Sequence, residues 1–313
     1  MTKKKSLIIT SIVLSAVLVL LIVFGSVFTL QKVDFQLTSM FATGEQITSP
    51  NTRLFKNQSP AQLEGKMYQI VKTKKGSNLL FCTFDQQTAK LEKEFPFVKV
   101  EKVVRHFPNK VIFYYSEREP IALLETETVE NRYYVVDSSL KVLDVVNTYD
   151  NTYNLPVLTS KVDSFDIYEA GQTITSPKLA RRLQTFVTAA FSVNGDTSAL
   201  YEVVLTQIYN VQELQFYAHV VGAGDSVRTT YRCKFTLKNE NGLTVTYIIT
   251  RIDQTGGVNG KAELIEKFKA AIQEYKENYL NAAYGEALYR GVSYIESDGA
   301  VRVETASGDL LEF

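Results

Sequence analysis

The chain has 313 residues, carries 34 basic and 34 acidic side chains for a formal net charge of zero, and is 45% apolar. This balance argues against a nucleic-acid surface, which needs a basic excess, and against a disordered chain, which is poorer in apolar residues. The two cysteines and two histidines exclude a disulfide framework and leave little from which to build a zinc site with histidine ligands.

The N-terminal region has a short basic start followed by a long apolar run. Residues 1–5 include three lysines, and residues 6–31 are uncharged. A helix over residues 7–30 would be about 36 Å long, enough for a hydrocarbon core of about 30 Å. We therefore expect a transmembrane helix over residues 6–31, with residues 1–5 in the cytoplasm and the rest outside it. A cleaved signal peptide is the alternative, but the run is long and no A-x-A-like site follows it.

The next region predicts two helices after a first strand at residues 33–43 and a segment at 44–58. Ser59 followed by Pro60 and Gln62 is a capping-box pattern with proline at the first helical position, and it leads into an apolar stripe. Thr83 and Gln86 form a second capping-box pattern, which predicts another helix that ends before Pro96. The stripes on these helices are Leu63, Met67, Ile70 and Val71, and then Phe84, Thr88, Leu91 and Phe95.

Two strands follow these helices. Residues 97–101 read as the first, and the alternating Val111, Phe113 and Tyr115 read as the second, after a turn at Phe107-Pro108-Asn109. The predicted order is therefore β-α-α-β-β, which is the order of a POTRA domain, and we place that domain at residues 32–117.

This block resembles the FtsQ/DivIB family of bacterial cell-division proteins. That family has a Gly-x-Asn-Leu turn, a strand that leads into Arg-x-Phe-Pro-Asn, and a Glu-Arg-x-Pro sequence that leads into a β domain. The matching signature residues here are Gly76, Asn78, Phe107, Pro108, Glu117, Arg118 and Pro120. The resemblance covers about 80 residues. This chain departs from the family pattern at Leu140, where many members have a turn glycine, and by an apparent insertion at residues 44–58.

From residue 118 to 313 the pattern predicts a mainly antiparallel β domain with two helices. Hairpins are expected at 133–136 with 142–146, and at 231–237 with 243–250 around Asn241-Gly242, a strong turn dipeptide. Further strands are expected at 202–208, 214–221, 289–296 and 300–305. One helix should begin at Ser176-Pro177 and another near Lys261, each with a single apolar face. The fold class is therefore α+β.

No arrangement of residues predicts catalysis. Ser138 and Lys141 match the Ser-x-x-Lys motif of penicillin-recognising enzymes, but they fall between two strands and not at a helix start. The sequence Glu117-Arg118-Glu119 fits a salt-bridged domain junction better than a catalytic cluster. Cys82 and Cys233 lie in different predicted domains and fit small apolar core residues better than a disulfide pair. We expect no enzyme activity, no cofactor and no metal.

The resemblance implies a scaffold of the division machinery that binds FtsB/DivIC- and FtsL-like proteins and helps regulate septal peptidoglycan synthesis. Recognition would occur by β-strand addition at the sheet edge beside the last helix. The partner-binding candidates are Tyr294, Val301 and Val303, although each also fits the core of a terminal hairpin. A POTRA protein of polypeptide transport and an anchored cell-wall enzyme are the alternatives. The expected location is the cell membrane at the division septum.

Overall fold

The structure is a computed structural model, and it describes residues 2–38, 59–126, 132–147, 153–161, 165–196, 199, 201–221, 228–252, 258–283, 287–294 and 301–305. It divides into two compact units, Met1–Arg118 and Glu119–Phe313. Both units are α+β with mixed sheets. The predicted strand at 33–43 is described only as far as residue 38, and the segment at 44–58 lies outside the described residues.

The expectation of a transmembrane helix over residues 6–31 is wrong. A span takes about 20 consecutive, predominantly apolar residues in one helix. In the part of the chain that the structure describes, no helix meets both the length and the apolarity that a span requires. The predicted location in the cell membrane, with one span, residues 1–5 in the cytoplasm and the domains outside, is therefore wrong as well.

The first unit begins with helix α1 (Thr2–Val27) and continues as a three-stranded sheet with two helices. These are strand β1 (Lys32–Leu37), helices α2 (Pro60–Val71) and α3 (Asp85–Glu94), and strands β2 (Val98–His106) and β3 (Lys110–Glu117). The strand order is β1-β3-β2, with β1 parallel and β2 antiparallel to β3. The chain order β-α-α-β-β is therefore the one that the sequence predicts.

The two helices of this unit begin differently. The Ser59 hydroxyl accepts from the Gln62 amide and the Gln62 side chain accepts from the Ser59 amide, which is the predicted capping box. The predicted box at Thr83 and Gln86 is wrong. Helix α3 starts at Asp85, and the residue before it is Phe84, whose side chain has no acceptor with which to cap the helix. The buried Phe84 ring packs on Phe113 instead.

The second unit is built on a nine-stranded sheet in the order β12-β11-β10-β9-β8-β7-β4-β5-β6. Its strands are β4 (Ala122–Glu125), β5 (Tyr133–Val136), β6 (Val142–Val146), β7 (Val157–Ser160), β8 (Val211–Val221), β9 (Arg228–Lys238), β10 (Thr244–Ile249), β11 (Leu288–Tyr294) and β12 (Val301–Thr305). Three neighbouring pairs are parallel, β4 with β7, β7 with β8 and β10 with β11. The other five neighbouring pairs are antiparallel, so the sheet is mixed but mainly antiparallel, as predicted. The prediction did not include the parallel pairs that helical crossovers produce.

Helices α4 (Pro177–Asn194) and α6 (Val258–Asn278) make two of these crossovers. They share a core with the sheet, where the rings of Phe186, Phe235 and Phe268 lie 5.2 to 5.9 Å apart. The strand predicted at residues 202–208 is wrong, because that segment is the short helix α5 (Tyr201–Val203) followed by a π-helical turn, Val204–Ile208. It buries Val204 and Leu205 in the core as a helix.

Two tight turns of this unit contain a residue with a positive φ angle. Gly242 has φ +87° in the turn between β9 and β10, which confirms the predicted hairpin. Leu140 has φ +61°, a left-handed conformation that a glycine would adopt freely. Its side chain is fully buried, so core packing offsets the strain at the position where the resemblance expects glycine.

Candidate interaction site

The predicted site residues fall into three separate groups. Gly76, Asn78, Phe107 and Pro108 surround the connection between α1 and β1, and Glu117, Arg118 and Pro120 lie at the boundary between the two units. Tyr294, Val301 and Val303 lie on β11 and β12, at the end of the nine-stranded sheet.

The first group holds the end of α1 against the sheet of the first unit. Gly76 has φ +85°, and its amide donates to the Leu30 carbonyl. The Asn78 side chain accepts from the Leu80 amide and donates to the Phe24 carbonyl. Phe107 packs edge-on against Phe28, with ring centroids 5.7 Å apart. These signature residues therefore have a structural role in fixing the chain between α1 and β1.

In the second group, Arg118 contacts residues of the first unit and Glu119 contacts a residue of the second unit. A terminal nitrogen of Arg118 lies 3.0 Å from a carboxylate oxygen of Glu92, and its Nε donates to the Val98 carbonyl, both within the first unit. The Glu119 carboxylate accepts from the Glu202 amide within the second unit. Neither arrangement places a nucleophile beside a base, so the group supports a structural role for this sequence.

Strand β12 is the outermost strand of the nine-stranded sheet. It pairs antiparallel with β11 on one side, and among the described residues no strand pairs with its other side. An outermost strand carries backbone N–H and C=O groups that can receive a further strand. The hydrogen-bonding direction of β11 shows which residues of β12 carry these groups.

The Thr250 amide at the end of β10 donates to the Val292 carbonyl at 3.3 Å. The N–H and C=O of one strand residue point to the same side, so both groups of Val292 face β10. Val292 and Val303 are opposite each other in the ladder, and they therefore form a non-hydrogen-bonded pair. The backbone groups of Val303, and by alternation those of Val301 and Thr305, point away from β11 toward the open edge.

The side chains of Val301 and Val303 have a different role from their backbones. Both are half-buried and pack against the hydrophobic core, and Val303 lies opposite the fully buried Val292. Tyr294 is opposite Val301 in the ladder. Of the predicted partner-binding residues, Val301 and Val303 thus combine an inward side chain with an outward backbone.

A polar network that links α6, β10 and β11 supports the edge strand β12. Glu274 of α6 accepts hydrogen bonds from the Tyr247 hydroxyl of β10 at 2.8 Å and from Arg290 of β11 at 2.6 and 3.0 Å. Burial alone would lower the pKa of Arg290, but the hydrogen bond and negative charge of Glu274 outweigh burial and raise that pKa. Burial, and then Glu274, raise the pKa of Tyr247. The network therefore fixes α6, β10 and β11 to one another.

Two more contacts hold α6, one from its middle and one just after its end. The buried Lys267 ammonium lies 2.8 Å from the Glu263 carboxylate and donates to the Thr250 carbonyl at the end of β10. The Asn239 amide nitrogen, in the turn before β10, donates to the carbonyls of Tyr279 and Ala282 after α6. The crossover that leads to β11 is thus held to β10 at the middle of α6 and to the turn before β10 after its end.

The residues weighed for chemistry lie in a turn and in the hydrophobic core. Ser138 lies in the turn between β5 and β6, where the Asp137 carboxylate accepts from the Ser139 and Lys141 amides. Cys82 and Cys233 are both buried, free thiols, and burial raises the pKa of Cys233 well above its ordinary value. The described residues contain no group of three or more His, Cys, Asp or Glu side chains that could hold a metal ion.

Sequence reasoning missed the residues that support the edge. Glu274, Arg290 and Asn239 carry no family motif, and their partners are distant in the chain.

The comparisons with known proteins add no identification. No family model matches the chain, and no curated protein matches it.

Proposed function

We propose that this protein is a non-catalytic scaffold of the bacterial division machinery. It binds FtsB/DivIC- and FtsL-type proteins by β-strand addition and in this way helps regulate septal peptidoglycan synthesis. The proposal rests on the signature residues of the first unit for the biological role. For the mechanism it rests on one observation, the outward backbone groups of Val301, Val303 and Thr305 on β12.

Strand addition suits this edge because its donors and acceptors are held in register. An added strand would pair with three residues whose N–H and C=O groups already point outward, so little backbone of the scaffold has to be ordered on binding. The network of Glu274, Arg290 and Tyr247 holds β11 in place, and β11 positions β12. A rigid edge lowers the entropic cost of association.

The substitution Val303→Pro tests the mechanism. Proline at this position removes one of the three outward N–H groups and leaves the β11 ladder intact, because Val303 makes no ladder hydrogen bond. We expect the affinity for an FtsB/DivIC-type partner to fall at least about tenfold, equivalent to about 1.4 kcal/mol. The measurement is co-purification followed by titration of the partner.

Val303→Ala is the matched control, since it shortens the same side chain but keeps the N–H. We expect this variant to bind within about threefold of the parent chain, equivalent to less than about 1 kcal/mol. Equal binding by the proline variant would contradict strand addition at β12. Depletion of the protein tests the role, because undivided filamentous cells are expected and normal septation would contradict the division function.

A further inference from the structure

The nine-stranded sheet has a second outermost strand, β6, at the end opposite β12. A short segment before α4 runs beside the start of this strand. The Val142 amide donates to the Gln172 carbonyl and the Val142 carbonyl accepts from the Gly171 amide, both at 2.8 Å. Just before the strand, the Ile174 amide donates to the Leu140 carbonyl at 3.0 Å. The outward backbone groups at the start of β6 are therefore already paired within the chain.

Val145, further along β6, also directs its backbone groups outward. The Leu123 amide donates to the Pro156 carbonyl at 2.9 Å, so the backbone groups of Leu123 face β7 and those of Leu124 face β5. Leu124 is opposite Tyr134, and Tyr134 is opposite Val145. Because Tyr134 turns its N–H and C=O toward β4, it forms a non-hydrogen-bonded pair with Val145. The backbone groups of Val145 therefore point away from β5.

The Asp144 carboxylate occupies this outward N–H. The Val145 amide donates to Oδ1 of Asp144 at 2.9 Å, and the Tyr153 hydroxyl donates to Oδ2 at 2.6 Å. Both oxygens are thus engaged, and the carboxylate lies at the backbone position that a further strand would need. The Val145 side chain packs against the hydrophobic core, which holds this position in place.

A strand that approached β6 would have to replace a charged acceptor by a neutral one. The carbonyl of the added strand would compete with the Asp144 carboxylate for the Val145 N–H, and hydrogen bonds to ionised groups are stronger than those between neutral groups. Charged side chains on outermost strands are also a common means by which proteins prevent pairing with other chains. The position of Asp144 therefore opposes strand addition at this end of the sheet.

We propose that Asp144 prevents strand addition at β6 and thereby restricts docking on this sheet to β12. The inference rests on the proposed function for the way in which the partner binds, but Asp144 acts at the other end of the sheet. One consequence is that each sheet receives a single partner strand. Another is that two copies of the chain do not pair with each other through β6.

The test uses a photo-reactive strand peptide and the full chain. The peptide KTVXVTK, in which X is p-benzoylphenylalanine, forms covalent cross-links on irradiation, and mass spectrometry of tryptic fragments locates them. We expect the parent chain to be cross-linked at β12 and not at β6. Asp144→Ala should raise the cross-linking at β6 at least about fivefold, because the Val145 N–H becomes available to the peptide.

Two further variants show whether the effect comes from this N–H. Asp144→Ala/Val145→Pro removes the N–H that the first substitution exposes, so the additional cross-links at β6 should disappear. Cross-links caused by local unfolding would persist in this double variant. Asp166→Ala is the matched control, since it makes the same charge change at an exposed residue of the same unit and should keep the parent pattern.

Failure of this proposal and failure of the proposed function give different results. If Asp144→Ala adds no cross-links at β6, the assigned role of Asp144 is wrong, whether or not β12 is labelled. Cross-links at β6 in the parent chain, or their persistence in the double variant, would also overturn it. If Asp144→Ala adds them but Val303→Pro leaves the labelling at β12 unchanged, the docking edge of the proposed function is wrong and the protection of β6 by Asp144 stands.

Discussion

Asn239 is a buried residue whose single side chain holds two loops. Its Nδ2 donates to the Tyr279 and Ala282 carbonyls at 3.0 and 2.9 Å, and its Oδ1 accepts from the Asn241 and Leu243 amides. All four hydrogen bonds of the amide are therefore made inside the protein. One of these loops follows α6 and leads to β11, which pairs with β12. Asn239 therefore helps to position the candidate edge although it does not contact it.

The substitution Asn239→Asp tests this role. It places a carboxylate oxygen against two carbonyl oxygens at a buried position, so both groups lose their donor. We expect the free energy of unfolding to fall by about 3 kcal/mol, measured by urea denaturation. Asn241→Asp is the control, because the exposed Asn241 donates to the same Ala282 carbonyl and should cost less than about 1 kcal/mol. Similar losses for the two variants would contradict the assigned role.

The buried tyrosines make a second prediction, which depends on pH. Among the described residues the hydroxyls of Tyr209 and Tyr275 have no hydrogen-bond partner, and burial raises the pKa of each to about 12. Because the folded pKa lies above the unfolded value, the free energy of unfolding is at its full value below pH 10 and falls as the pH rises through 12. The double variant Tyr209→Phe/Tyr275→Phe should therefore be as stable as the parent at pH 7 and more stable at pH 11.

Tyr247→Phe is the matched control for that experiment. The Tyr247 hydroxyl donates to the Glu274 carboxylate, so its removal leaves a charged acceptor short of one hydrogen bond. We expect a loss of about 2 kcal/mol at pH 7. Urea denaturation at both pH values measures the effects, and a double phenylalanine variant that is weaker at pH 7 would show that the two hydroxyls have partners.

At the scale of elements, the sequence predicts those whose local signals agree. The capping box at Ser59, the Asn241-Gly242 turn and the apolar stripes of α4 and α6 each appear as expected. The segment at 201–208 was assigned the wrong type, because a short run rich in valine and leucine fits a buried strand and a buried helix equally. Its state depends on packing and not on local preference.

The candidate edge could be predicted only in part. The alternating residues at 300–305 indicate a strand, but no local pattern gives the order of nine strands or the parallel pairing of β10 and β11. The outward direction of the Val303 backbone depends on its pairing with Val292, which is a property of the register.

The contact between α6 and β11 carries the third prediction. Replacing Glu274 by Gln removes the negative charge that Arg290 faces, and the Arg290 side chain is only 20% exposed. We expect the free energy of unfolding to fall by about 2 to 3 kcal/mol and the backbone amide hydrogens of β11 and β12 to exchange faster. Hydrogen exchange read by mass spectrometry measures this. Glu277→Gln, on the exposed side of the same helix, should leave both strands unchanged, and equal effects would contradict the network's role.

At the scale of the whole molecule, each unit has its own hydrophobic core. In the first unit Leu63, Met67 and Leu91 are buried, and in the second Phe186, Phe235 and Phe268 form an aromatic cluster. Each core is formed by elements of its own unit, with α2 and α3 in one and α4 and α6 in the other. A unit that buries its own core can unfold cooperatively as a unit.

Two cavity-forming substitutions test whether the units behave in this way. Leu91→Ala removes a fully buried side chain from the first unit, and Phe186→Ala removes one from the second. Each should cost about 3 kcal/mol, because the lost contacts and the cavity both destabilise the fold. We expect faster hydrogen exchange in β2 and β3 alone for Leu91→Ala, and in β8, β9 and β10 alone for Phe186→Ala. If Leu91→Ala also raised exchange in the nine-stranded sheet, the two cores would form one cooperative structure, and binding at β12 would then depend on the stability of the first unit.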